Sequence, residues 1–206
     1  MRSEVANYRP QLDVLVGFAE GRIDAPALEA ALATGEMKAL LGVFEESRYP
    51  ALTNHYRRLF NNQDRTTLGG LVNAEGIIEG FLKKAEIEFR PAGRFGNVYS
   101  LILKSVPAYL DPPMEFMTEK VILFESDLSE AQKKKLIRQR LKELFKYVDK
   151  PPRWIQGADW PIRDGKPMIF LGQLPIDAPE LFHDKGAAYL FFDPDKGNFE
   201  TVTQFH

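Results

Sequence analysis

Apolar residues recur at helical spacing through the first half of the chain. Leu12, Leu15, Val16 and Ala19 put one stripe on a helix over residues 8–22 that stops near Gly21. Asp24 suits a cap and Pro26 a first turn, so a second helix opens there, with Leu28, Ala31 and Leu32 as its apolar face and Gly35 as the residue that ends it. Met37, Leu40, Leu41 and Phe44 predict a third helix, broken at Arg48-Tyr49-Pro50. Ala51 to Phe60 predicts a fourth, and residues 61–64 a loop. Leu68, Leu71, Val72, Ile78, Phe81 and Leu82 make a further stripe across residues 66–84. Gly69, Gly70, Gly76 and Gly80 lie inside it, and each interior glycine costs about 0.5–1 kcal/mol relative to alanine. Close approach of another helix, or a backbone surface kept open for a ligand, would offset that cost. Close approach is the simpler reading, because none of the four belongs to a strand–loop–helix phosphate motif.

The middle of the chain changes period more than once. Glu86 to Phe89 alternates charged and apolar residues and predicts a short strand. Val98 to Val106 fits helix or strand, and Pro107 ends it either way. Pro113 to Leu123 predicts a helix with Phe116, Met117, Val121 and Ile122 on its apolar side. Residues 129–147 carry the clearest helical signal. Ser129 and Gln132 form a capping box, and Ile137, Leu141, Leu144, Phe145 and Val148 form one stripe. Lys133, Lys134, Lys135, Arg138, Arg140, Lys142 and Lys146 make it basic, which reads as a solvated face before it reads as a grip on an acidic partner. Pro151-Pro152 stops it and marks an internal boundary after residue 149.

Beyond that boundary the pattern turns to β structure. Lys150 to Ile176 is an irregular, proline-pinned arm with both tryptophans of the chain, a turn at Arg163-Asp164-Gly165-Lys166, and an apolar run from Met168 to Leu174 in which Met168 to Leu171 reads as a buried strand that Gln173 beside Pro175 ends. A polar connection covers residues 177–186. Ala187 to Phe192 has high β-propensity, Asp193 to Asn198 is a turn, and Phe199 to Phe205 is the returning strand. The expected fold class is α+β: a mainly helical region over residues 1–149, then a small antiparallel β-rich unit over residues 150–206 packed against it.

Composition narrows the function classes. A net charge of −2 on 206 residues lacks the positive field of a dedicated nucleic-acid binder. The chain has no cysteine, which removes disulfides, thiolate chemistry and cysteine zinc sites and fits a reducing cytoplasm. No apolar h-region follows the first residues, and no run of about 18 apolar residues exists, so neither a signal peptide nor a membrane span is expected.

Candidate chemistry is sparse. The histidines are His55, His183 and His206. His183-Asp184 in the polar connection reads as a site dyad or, more simply, as a local turn. Glu45-Glu46 and the pair Glu75/Glu79 are the acid–base candidates; Glu75 and Glu79 sit four apart on one helix face and have no visible partner. The sequence has no nucleophile elbow and no metal-ligand set, so no catalytic residue, metal or cofactor is assigned. The large aromatic residues after position 150 read as core or as interface anchors. Those on loops, Trp154, Trp160 and Phe182, together with His183, are the partner-binding candidates.

Two resemblances add to this. The order PPRWIQGADWPIRDGKPMIFLGQLPI, then DKGAAYLFFDPDKGNF, resembles the YwqG-like family of bacterial β-rich proteins of unknown biochemical function. Pro152, Trp154, Trp160, Pro161, Pro167, Phe170, Gln173, Gly186, Tyr189, Phe191, Phe192 and Asp193 carry the match. The family's domain is longer, so the chain resembles a shortened version of it. The stretch LGGLVNAEGIIEGFLKKAEIEFRPAGRFGNVYSLIL, then VPAYLD, is similar to the N-terminal part of proteins encoded beside polymorphic and type VI-secreted toxins. That resemblance implies an immunity protein, whose partner is a cognate secreted toxin and whose mechanism is occlusion of the toxin's active site. The alternative is a small-ligand-binding protein or enzyme using a pocket between the two regions near His183 and Gln173.

Overall fold

The computed structural model describes residues 5–44, 56, 64–122, 128–177 and 184–206. The fold is α+β, with helices in the first two thirds and two small antiparallel sheets at the C-terminal end. The chain divides into two compact units, Met1–Ser100 and Leu101–His206. Among the described residues, no helix is long and apolar enough to cross a membrane.

In the first unit, α1 (Arg9–Ala19), α2 (Ala25–Leu32), α3 (Gly35–Gly42) and α4 (Leu68–Lys84) each bury one stripe in a common core. Three of the four starts are capped by a side chain three residues away. The Asp24 carboxylate accepts from Ala27 N–H at 2.9 Å, the Thr34 hydroxyl from Met37 N–H at 3.3 Å, and the Thr67 hydroxyl from Gly70 N–H at 3.1 Å. The Thr34 cap makes Gly35 the first residue of α3, where the sequence reading had it ending α2. Among the described residues, close helix approach does not explain the glycines of α4. A Cβ on Gly70 would run into the carbonyl of Asp64 in the preceding turn, whereas at Gly69, Gly76 and Gly80 it would meet no described atom within 4 Å. Among the described residues the expected strand at Glu86–Phe89 does not form: Glu86 takes a φ of +57° and its N–H turns back to the Lys83 carbonyl at 3.1 Å, and the alternation arises because Ile87 and Phe89 lie against the helical core. Of the expected fourth helix over residues 51–60, all but Tyr56 lie outside the described residues.

The ambiguous stretch at Val98–Val106 is helical. It belongs to α5 (Arg94–Leu103), which runs across the division between the units. The second unit continues with α6 (Met114–Phe116), a π-helical turn at Met117–Val121, and α7 (Glu130–Leu144), whose Ser129/Gln132 capping box is complete. A two-residue hairpin follows, β1 (Ile162–Arg163) and β2 (Lys166–Pro167). Its central residues Asp164 and Gly165 have φ of +51° and +72°, the combination an Asp-Gly turn accommodates best. Then β3 (Ile169–Ile176), β4 (Gly186–Asp193) and β5 (Asn198–Phe205) form one antiparallel sheet in the order β3-β4-β5, with a bulge between Phe170 and Gly172.

The unit boundary at Ser100/Leu101 differs from the one expected after residue 149, and the reason is aromatic packing. Phe145, just past α7, meets Phe116 at 5.5 Å and Trp160 at 5.4 Å between ring centroids, so α7 shares a core with the sheet. The chain after α7 also joins the sheet. Tyr147 bridges Phe170 in parallel, with Phe170 N–H donating to the Lys146 carbonyl at 2.9 Å and Val148 N–H to the Phe170 carbonyl at 3.1 Å.

Candidate functional site

The proline-pinned arm is held by one polar side chain from each strand of the sheet. From β3, the Gln173 carbonyl accepts from Arg153 N–H at 2.7 Å. From β4, the buried Tyr189 hydroxyl donates to the Arg153 carbonyl at 2.9 Å and accepts from Ile155 N–H at 3.0 Å. Burial pushes the Tyr189 phenol above its ordinary pKa. From β5, the buried Gln204 accepts from Ile155 and Gln156 N–H at 3.1 and 3.0 Å and donates to the Gly157 carbonyl at 2.8 Å. An irregular segment has no ladder of its own, so its amides need such partners.

This clamp decides where the two tryptophans go. Trp160 is 8% exposed, its indole N–H donates to the Met168 carbonyl at 2.8 Å, and its ring lies 5.4–6.1 Å from Phe145, Phe191 and Phe170. It is a core residue in this structure. Trp154 is partly buried, 4.4 Å from the Tyr189 ring, and its N–H donates to the Tyr109 carbonyl at 2.9 Å. Phe182 and His183, the other two partner-binding candidates, lie outside the described residues, as do His55 and Glu45-Glu46. Glu75 and Glu79 have separate environments. Glu75 is 5% exposed and accepts from Gly96 N–H at 3.1 Å, placing its carboxylate at the first turn of α5, where the helix dipole favours negative charge. Glu79 pairs with Lys83 at 3.3 Å.

A depression of about 420 Å³ lies beside the arm, with Lys150, Arg153, Leu171 and Gln173 among its lining residues. Lys150 and Arg153 are offset there by the Asp149 carboxylate, and the Gln173 amide is already engaged with Arg153.

The feature that sequence reasoning missed is the other face of the sheet. On β4, Ala187, Tyr189 and Phe191 point into the core, so Ala188, Leu190 and Phe192 point away from it. In register beside them stand Leu174 on β3 and Phe199, Thr201 and Thr203 on β5. Leu174 is 72% exposed, Phe199 64% and Leu190 39%. No charged side chain of the three strands lies on this face. The signal was available: β4 reads Ala-Ala-Tyr-Leu-Phe-Phe, apolar at both parities, where a strand with one solvated face alternates.

Charges gather instead at one end of the sheet, where the two hairpin turns are stapled together. Lys166 pairs with Asp195 at 2.5 Å, Lys196 with Asp164 at 2.7 Å, and Arg163 makes a two-point contact with Glu200. The hydrogen bond from Lys196 holds the Asp164 carboxyl below its usual range. The Asp195 and Asp164 carboxylates raise Lys166 and Lys196 respectively.

Compared with family models, curated proteins and solved structures, the chain matches none.

Proposed function

We propose that the protein acts by stoichiometric binding in the cytoplasm, as an immunity protein that neutralises a cognate secreted bacterial toxin by covering its active site. The observation that supports a binding role is the uncharged outer face of β3-β4-β5 with ion pairs at its end. A charge-poor centre beside a polar rim is the pattern of protein interfaces. Three strands of eight residues span about 26 Å by about 14 Å, on the order of 350 Å², the size of the largest functional patch on an ordinary monomer. A standard interface takes about 800 Å² per partner, so this face would form its centre and the loops beside it its margin, while Trp154, stacked on Tyr189 and Phe191, lies on the other side of the sheet. The choice of a toxin as the partner rests on the resemblance of residues 68–111 to immunity proteins.

Co-expression with the toxin encoded beside the gene tests this reading. Protection should track a one-to-one complex. Leu174→Glu, a change on the exposed face far from the core, should abolish protection while leaving the melting temperature within about 1 °C of the parent. Protection at strongly sub-stoichiometric amounts, or a complex indifferent to Leu174→Glu, would overturn it.

A further inference from the structure

The two edges of the sheet are not equivalent. The His206 N–H donates to the Lys185 carbonyl at 3.0 Å, which fixes the phase of the β4–β5 ladder. Pairs 187/204, 189/202, 191/200 and 193/198 are then the hydrogen-bonded ones, and pairs 188/203, 190/201 and 192/199 are not. Phe199, Thr201 and Thr203 therefore aim their N–H and C=O groups away from β4, and among the described residues those groups meet no hydrogen-bond partner. The opposite edge is interrupted. Phe170 is taken by Lys146 and Val148, a bulge interrupts the strand at Leu171, and Pro175 has no N–H to offer. Among the described residues, then, the β3 edge is interrupted in three ways, while β5 offers the row Phe199, Thr201 and Thr203, ended where the Gln156 side chain takes the Phe205 carbonyl at 2.8 Å; β5 is the edge to which a strand can be added.

We propose that this place is filled by β5 of a second copy, antiparallel, about a two-fold axis through Thr201. The row is self-complementary in that register. Thr201 faces the partner's Thr201, Phe199 faces the partner's Thr203, and each of these pairs exchanges two backbone hydrogen bonds. Paired threonines and aromatic–β-branched neighbours are favourable across strands. The one charged residue within the paired segment, Glu200, faces the partner's Val202 and already holds Arg163 of its own chain, so no like charges oppose. Because the β3 edge is blocked, the pairing closes as a dimer and does not propagate into a fibre. The result is a continuous six-stranded sheet whose uncharged outer face is doubled. This inference does not depend on the identity of any toxin and concerns the chain by itself.

The purified full-length chain should sediment at about twice 23.5 kDa and fall to the monomer mass on dilution. Thr201 is exposed and sits opposite Leu190 in a pair whose N–H and C=O groups do not bond β4, so substitutions there spare the fold. Thr201→Lys and Thr201→Glu should each be monomeric at concentrations where the parent is dimeric, because the new charge meets its own copy across the axis. Mixing the two should restore a dimer. The chain has no cysteine, so Thr201→Cys introduces a single thiol. Its symmetry mate would lie about 5.5 Å away between Cα atoms, within disulfide reach, and oxidation should yield a covalent dimer. Phe199→Cys should not, because four residues of strand separate it from its own mate, about 13 Å. A parent that is monomeric throughout the series, a dimer mass indifferent to both Thr201 charge variants, or a species that keeps growing with concentration would each overturn the proposal.

Discussion

The helix starts of the first unit and the arm of the second satisfy their backbone groups in opposite ways. In Met1–Ser100, helix starts are satisfied from within: Asp24, Thr34 and Thr67 each cap an amide three residues along the chain. In Leu101–His206, the polar side chains that matter reach across 20 to 49 residues, as Gln173, Tyr189 and Gln204 do when they hold Arg153, Ile155, Gln156 and Gly157. Local caps leave each helix nearly self-sufficient and ask of the tertiary fold only that stripes meet. The arm has no such autonomy, so its course is a property of the sheet beneath it.

The largest effect that would sharpen this contrast is on the aromatic core of the second unit. Trp160→Ala should cost about 3–5 kcal/mol, and Trp154→Ala, being partly exposed, about 2 kcal/mol, both read by denaturant melts. Equal costs would mean the two tryptophans do not differ in burial as described. Next comes the clamp. Gln204→Ala removes three hydrogen bonds to the arm and should cost about 2 kcal/mol, with faster hydrogen exchange concentrated at the Ile155 and Gln156 amides. The matching local change, Thr67→Ala, should cost about 1 kcal/mol and affect exchange only at the start of α4. If Gln204→Ala loosens nothing beyond its own strand, the arm is held by something other than the clamp.

The smallest effect is the pH response of the hairpin staple. Asp164 has a lowered pKa, so its contribution is present above its unfolded value and is lost as pH falls through the folded one. Lys166 and Lys196 have raised pKa values, so theirs are present below the unfolded value and are lost as pH rises through the folded one. The staple should thus weaken in acid and again in strong alkali, and salt should screen it between those limits because every member is exposed. The check is the difference in melting temperature between the parent and Asp164→Asn. It should shrink toward zero at low pH and at high salt; a constant difference would show that Asp164 acts through its turn conformation and not through its charge.

Much of the secondary structure was legible in the order of residues. Asp24 and the Ser129/Gln132 box announced helix starts, Asp164-Gly165 a turn, and Ala187 to Phe192 a strand. The same reading placed Gly35 at the wrong end of a helix, because a glycine before an apolar run and one after it look alike until Thr34 is seen to cap. It left Val98–Val106 open, because a short apolar run fits two periods. In the structure it is helical, and the buried Glu75 carboxylate sits at the first turn of α5, twenty-one residues away in sequence from the Gly96 amide whose hydrogen bond it accepts.

What the chain determined by itself is the set of interactions that close within three or four residues: caps, turns, and the period of each stripe. What only the tertiary structure decided is which of two similar tryptophans is buried, where the unit boundary runs, and which face and edge of the sheet stay bare. Burial and strand pairing depend on residues such as Phe145, Trp160 and Phe191, whose proximity no local spacing encodes. A strand that is apolar on both faces will bury one of them, and the choice is made by whatever else in the fold arrives to cover it.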